Sequence, residues 1–267
     1  NSIDRESFKL LVKFRISDFW MKINGNFLAV LFAGIVTNFL FLAKTITHLL
    51  GHHAILIWSF FFGLILISAP LVLRQIRKWN PGLVLVFFIG AGITYGLTFI
   101  SPIQLPEGIL LFFVAGSFAI CGLLLPGISG AFILLLIGKY QYLINSLISF
   151  NALMIFAFIS GCVLGLLLFS RLLRWMMRNY RNASIALLAG LMFGSLNKVW
   201  PWREVLEYVT NSKGEQVPAF DKSILPWHYF ATTGKDPQVF QAILMMALSV
   251  FLVVLVEKIA VRLKTKI

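Results

Sequence analysis

The chain has 267 residues, of which 59% are hydrophobic and 12% charged, with a net charge of +13 and a mean hydropathy of +0.89. That composition excludes a soluble globular domain, and continuous apolar runs of about twenty residues, without period-two alternation, exclude a β-barrel. What remains is an all-α polytopic membrane protein, whose positive charge serves topology and contact with anionic lipid rather than nucleic acid.

Residues 1–26 carry a basic excess (Arg5, Lys9, Lys13, Arg15, Lys22) among apolar residues such as Phe8, Phe14 and Trp20. This is the pattern of an amphipathic helix at the cytoplasmic interface. The opening has no cleavable-signal pattern, so insertion is expected to rely on internal helices. Spans are predicted at about 27–50, 54–73 and 82–100, followed by a broken hairpin at about 107–149 and further spans at about 152–172, 183–199 and 239–260. A polar loop over about 200–238 contains Trp200-Pro-Trp202, Asn211-Ser-Lys-Gly214 and Pro226-Trp227, and its tryptophans suit the outer membrane interface. Cys121 and Cys162 lie in apolar runs without metal-ligand or disulfide spacing and read as packing residues.

Lys and Arg fix the sidedness. With residues 1–26 inside, Gly51-His-His53 falls outside, the Arg74–Lys78 turn inside and the Ser101–Glu107 turn, which lacks Lys and Arg, outside. A single crossing over 107–149 would put Arg171, Arg174, Arg178 and Arg181 outside, against the positive-inside rule. A segment that enters and returns puts them inside, the long loop outside and the basic C-terminal tail in the cytoplasm.

The chain also resembles itself. At one common offset Gly34 pairs with Gly161, Leu40 with Leu167, Lys44 with Arg171 and Gly63 with Gly190. This divides it into a first repeat over 1–100 and a second over 101–267. Each repeat is expected to comprise a motif hairpin plus three spans, an odd number that inverts one copy relative to the other. The first copy's hairpin would precede Asn1, so the natural protein is expected to begin earlier.

The break itself is Pro126-Gly-Ile-Ser-Gly130. Proline and two glycines free backbone groups that hydrocarbon cannot satisfy. One reading is anion capture by the N–H groups of Ile128, Ser129 and Gly130 with the Ser129 hydroxyl; the other is a hairpin tip that only packs. Lys139 either receives a lipid phosphate or snorkels to the headgroups. Lys44 and Arg171 line a path or anchor their spans. Glu107 is the acidic candidate for proton coupling, or a helix cap. Ser195, Asn197 and Trp200 can form a cavity mouth or simply end a helix. His48, His52 and His53 lack acidic or cysteine partners for a metal. No nucleophile–base constellation, Walker loop or dinucleotide fingerprint appears, so neither an enzyme nor a cofactor is expected.

Leu125-Pro-Gly-Ile-Ser-Gly130, Leu136-Ile-Gly-Lys-Tyr140 and Gly194-Ser-Leu-Asn-Lys-Val-Trp-Pro-Trp202 together resemble the PopT-type polyprenyl-phosphate transporters, over essentially the whole chain. The resemblance implies a flippase of the bacterial cytoplasmic membrane that recycles undecaprenyl phosphate for envelope synthesis. It also implies that Pro126, Gly127, Ser129 and Gly130 form one of two family motifs. The other, an Asp-x-x-Pro-Gly-x-Ser-Gly-Gly pattern near the family's N-terminus, is missing here. A small-anion or other solute transporter of the same architecture is the alternative, and a lipid-phosphate phosphatase, which needs a nucleophile beside arginines, a lesser one. Membrane lipids and a second copy of the chain are the further partners in view.

Overall fold

The apolar runs fold as helices because a helix satisfies every backbone polar group within its own segment. The computed structural model describes residues 21, 25–100, 106, 108–210 and 216–264. It divides into two compact units, residues 1–54 and 55–267. The first contains helix α1 (Gly25–His52); most of the expected amphipathic segment lies outside the described residues.

In the second unit α2 (Ala54–Leu73) and α3 (Pro81–Leu97) precede three shorter pieces, α4 (Ile109–Leu124), α5 (Gly130–Leu136) and α6 (Tyr140–Ile148). Helices α7 (Ala152–Asn179) and α8 (Arg181–Ser195) follow, then strands β1 (Arg203–Thr210) and β2 (Gln216–Ser223), α9 (Pro226–Thr233) and α10 (Val239–Lys264). Among the described residues α2, α7 and α10 are long and apolar enough to cross a bilayer, and α5 with α6 forms a pair bent by 106°. The large apolar side chains exposed along α10, such as Phe240, Leu244, Leu248 and Phe251, face outward as lipid contacts do.

The predicted spans coincide with α1, α2, α3, α7, α8 and α10, although α7 runs seven residues past its predicted end, to Asn179, and α3 and α8 are shorter than a membrane crossing; the predicted restart after Ser129 is where α5 begins. The all-α expectation is corrected in one place. The segment read as a polar loop folds into an antiparallel β-hairpin, with Glu204 opposite Lys222 and Tyr208 opposite Pro218, followed by α9. Residues 211–215, with the Asn211-Ser-Lys-Gly214 stretch, lie outside the described residues.

Glycines set three close helix crossings. A Cβ on Gly161 would lie 2.0 Å from the Phe113 carbonyl, and one on Gly165 2.6 Å from that of Ser117, so α7 presses directly on the α4 backbone. Ser117 also donates to the Gly161 carbonyl at 2.8 Å. Gly190 and Gly194 hold α8 equally close to Phe87 and Ala91 of α3, and the Thr94 hydroxyl contacts the Leu191 carbonyl at 2.9 Å. Gly63 of α2 meets Met246 and Ser249 of α10. Small-residue faces of this kind let membrane helices pack by van der Waals contact where no hydrophobic effect drives them together.

Residue numbers rise together along all three crossings, Phe113 to Ser117 against Gly161 to Gly165 for example, so the paired helices are parallel. For α4 and α7 this has a direct topological result. The chain between them, α5 and α6, returns to the side from which α4 set out, as the arginine cluster required.

Candidate functional site

The break is built from two turns. Leu125-Pro-Gly-Ile128 has the pattern of a type II turn: proline at the second position, Gly127 at φ +90° in the third, and the Ile128 N–H donating to the Leu125 carbonyl at 3.3 Å. Only glycine adopts that φ without strain. The Ile128 N–H is therefore spent inside the turn, and it does not join the expected donor set. Ser129 is the N-cap residue of α5 but makes no side-chain cap bond, leaving its exposed hydroxyl on the surface of the break. Gly130 is buried, where a Cβ would lie 2.4 Å from the Ala119 carbonyl, so α5 folds back against α4.

The second turn places Lys139. At the end of α5, Gly138 has φ +66°; its N–H donates to Leu135 at 3.0 Å and that of Lys139 to Leu134 at 2.8 Å. These two bonds are a Schellman motif. It tucks Lys139 inward, only 2% exposed, with Nζ donating to the Pro106 carbonyl at 2.7 Å and lying 5.4 Å from the Tyr142 ring centroid. Snorkelling is thereby corrected: the ammonium clasps the two arms of the hairpin because the left-handed glycine turns it away from the surface.

Gly127 presses against α8, where its Cβ position is 2.6 Å from Ser195 Oγ and 3.1 Å from Met192 Cα. A cavity of only about 10 Å³ remains there, lined among others by Thr94, Thr98, Gly127, Ser195 and Lys198. That is room for about one water molecule. Of the expected mouth residues, Ser195 lines this cavity, and Asn197 donates to Thr98 Oγ1 at 2.7 Å. Trp200 instead turns into an apolar cluster with Trp202 and Ile55, its indole N–H donating to the Ile224 carbonyl at 2.8 Å.

The β-hairpin closes over this end of α8. Lys198 Nζ pairs with Asp221 Oδ1 at 2.9 Å and sits 4.9 Å from the Phe132 ring centroid. Arg203 grips the same carboxylate with two donors and caps the carbonyls of Asn197 at 2.6 Å and Lys198 at 2.9 Å. Thr94, Thr98, Arg203 and Asp221 were not singled out from sequence, and Lys198 entered only within the Gly194–Trp202 stretch; Thr94 sits in the last turns of α3 and Thr98 just past them, Lys198 follows the end of α8, and Arg203 and Asp221 lie on the two strands.

Burial pushes the Asp221 carboxyl up, but the hydrogen bonds and charges of Arg203 and Lys198 outweigh it and hold its pKa below the ordinary value. A depressed carboxylate stabilises above its unfolded pKa of about 3.9 and loses that contribution as pH falls through the lower folded value. Tryptophan emission from the Trp200–Trp202 cluster should therefore stay constant from neutral pH down to about 4 and change only below it. Asp221→Asn should already show the altered emission at neutral pH. An unaltered spectrum in that variant would contradict the latch.

Arg171 is exposed on α7 and lines neither this cavity nor the larger one described below. Lys44 falls within α1, its side chain outside the described set. Glu107 lies outside the described residues. Among the described residues no group of three or more His, Cys, Asp or Glu is arranged for a metal ion.

A family profile described as undecaprenyl phosphate translocase-like matches residues 1–217. A curated Vibrio cholerae protein named polyprenyl-phosphate transporter is 44% identical over 238 residues, covering 89% of this chain and 77% of that protein. A Staphylococcus aureus protein of the same name is 26% identical over 195 residues, covering 66% and 69%. No solved structure matches significantly.

Proposed function

Because the chain belongs to the undecaprenyl phosphate translocase-like family, we propose that it carries polyprenyl phosphate across the bacterial cytoplasmic membrane, returning undecaprenyl phosphate to the cytoplasmic leaflet. The observation that carries the mechanism is the Pro126–Gly130 break, an interrupted re-entrant hairpin pressed against the polar ends of α3 and α8. Its exposed Ser129 hydroxyl offers a donor to a phosphate head, and Lys198, which lines the cavity beside Gly127, offers a positive charge when it exchanges Asp221 for the phosphate, while the polyprenyl tail stays in lipid. The step needs no covalent chemistry.

Inverted repeats supply the motion. The sequence match equates α2 with α8, and both are second spans of their copies; α3 and α10 are both third spans. Gly63 of α2 packs on α10 just as its counterpart Gly190 packs on α3. Each copy's second span thus crosses the other copy's third span through the same glycine, which supports two interlocked halves that rock about a shared site. The parallel pairing of α2 with α10 and of α3 with α8 agrees with the charge-based sidedness, the C-terminus being cytoplasmic.

The full-length protein reconstituted with labelled undecaprenyl phosphate tests this reading through the leaflet exposure of the label. Wild type should exchange it between leaflets, and Ser129→Ala should slow exchange about tenfold at unchanged thermal unfolding, the loss of one charge-assisted hydrogen bond. No exchange by wild type, or wild-type exchange by Ser129→Ala, would overturn it. Labelled inorganic phosphate in the same vesicles separates the lipid reading from a small-anion transporter.

A further inference from the structure

A second, much larger cavity lies at the other end of the α3–α8 pair. It has a volume of about 580 Å³ and is lined by Arg74, Gln75, Arg77, Arg181 and Asn182. We propose that it is a binding site for a phosphate monoester, receiving the substrate's head at the opposite end of the path from the Gly127 break; this rests on the transport reading above.

The geometry of the turn makes the site. After Pro70 the end of α2 tightens, with Gln75 N–H donating to Val72 at 3.2 Å and Ile76 N–H to Leu73 at 3.0 Å. Ile76 is then driven into a cluster with Leu83, Ile185 and Ala186, which leaves its neighbours Gln75 and Arg77 exposed. Asn80 caps α3, accepting from the Leu83 N–H at 2.8 Å, with Pro81 as the first helical residue. Both ends of the turn are therefore fixed, and the basic side chains are held over the start of α8 rather than on a free loop.

The charge arrangement there is unbalanced without an anion. Arg181 is the first residue of α8, whose first turn contains no acidic residue and whose N-cap makes no side-chain bond. A guanidinium at the positive end of a helix is unfavourable, and a bound anion reverses the sign of that interaction. Arg74 meets Glu257 at 3.7 Å, but its side chain is 71% exposed, so the contact is loose and solvent-screened. Among the described residues Arg77 and Arg181 have no ion pair. Three guanidinium forks with two side-chain amides match the donor demand of a dianionic phosphate better than that of a singly charged phosphodiester.

The location fits the path. Arg181 and Ser195 are the two ends of α8, separated by about 21 Å along the helix at 1.5 Å per residue. The positive-inside rule assigns the turn at 74–78 and the segment 171–181 to the cytoplasmic side, and the structure brings Arg74 and Arg77 of the first and Arg181 of the second into one cavity.

Binding to the purified full-length protein in detergent provides the test, with farnesyl phosphate, inorganic phosphate, farnesol and phosphatidylglycerol as separate probes. Arg77→Gln with Arg181→Gln should weaken farnesyl phosphate and inorganic phosphate by roughly thirtyfold or more, with thermal unfolding unchanged. Farnesol should be indifferent to the change, and the Arg77→Lys, Arg181→Lys pair should recover part of the loss. Unaltered farnesyl phosphate affinity in the folded glutamine variant would overturn the proposal, as would an effect confined to phosphatidylglycerol, which would mark a bulk-lipid anchor. If wild type fails to move undecaprenyl phosphate between leaflets yet binds both phosphate probes through these arginines, the site stands and the transport reading falls.

Discussion

Gly127→Val is expected to abolish transport and to lower thermal stability by about 2–4 kcal/mol, summing left-handed backbone strain and overpacking. Two separate constraints meet at this residue. Its φ of +90° is a conformation that a β-branched residue does not adopt, and its Cβ would stand 2.6 Å from Ser195 Oγ and 3.1 Å from Met192 Cα. The constraints can be separated. Gly127→Ala combined with Ser195→Gly removes the steric conflict with the hydroxyl and leaves the torsional one, so it should recover part of the stability lost in Gly127→Ala alone. Thermal unfolding in detergent reads the loss of stability and leaflet exchange the loss of transport. A Gly127→Val protein that unfolds and transports like wild type would show that the turn is dispensable.

Gly63→Leu and Gly190→Leu form the second large expectation. Added Cβ atoms would lie 2.7 Å from the Met246 carbonyl and 2.1 Å from that of Phe87. Both obstacles are backbone, so the helices must separate, at about 1–3 kcal/mol for each substitution. If the two crossings are the same joint in inverted copies, each substitution should slow leaflet exchange to a similar degree. The stability losses should add in the double variant, because the crossings share no partner. Wild-type exchange in either single variant would contradict the interlocked halves.

The helices were legible in the sequence because each membrane span must satisfy its backbone internally, which writes it as one apolar run. The restart at Gly130 was equally legible, since proline and glycine interrupt such a run in a fixed way. The β-hairpin was not. Arg203-Glu-Val-Leu-Glu-Tyr-Val-Thr210 has no clean period-two alternation, and the hairpin is held by the Arg203–Asp221–Lys198 cluster, in which Asp221 lies 18 residues from Arg203 and 23 from Lys198. Lys139 looked like a surface cation because its burial depends on the two backbone bonds that close α5 around Gly138. Of the arginine cavity only the shared side of the membrane was legible, since Arg77 and Arg181 come to line one space only after α3 and α8 pair through Gly190 and Gly194.

The narrowness of the void beside Gly127 has a bearing on bioenergetics. A space of about 10 Å³ admits one water molecule, which is too little for a hydrated sodium ion or for a file of waters along which protons could hop. A carrier for a charged lipid head must open a polar route through hydrocarbon, and such a route would short-circuit the proton-motive force if it stayed open. With Gly127 seated on α8 and Asp221 fastened across its end, the structure is closed at this point to hydrated ions and to a file of waters.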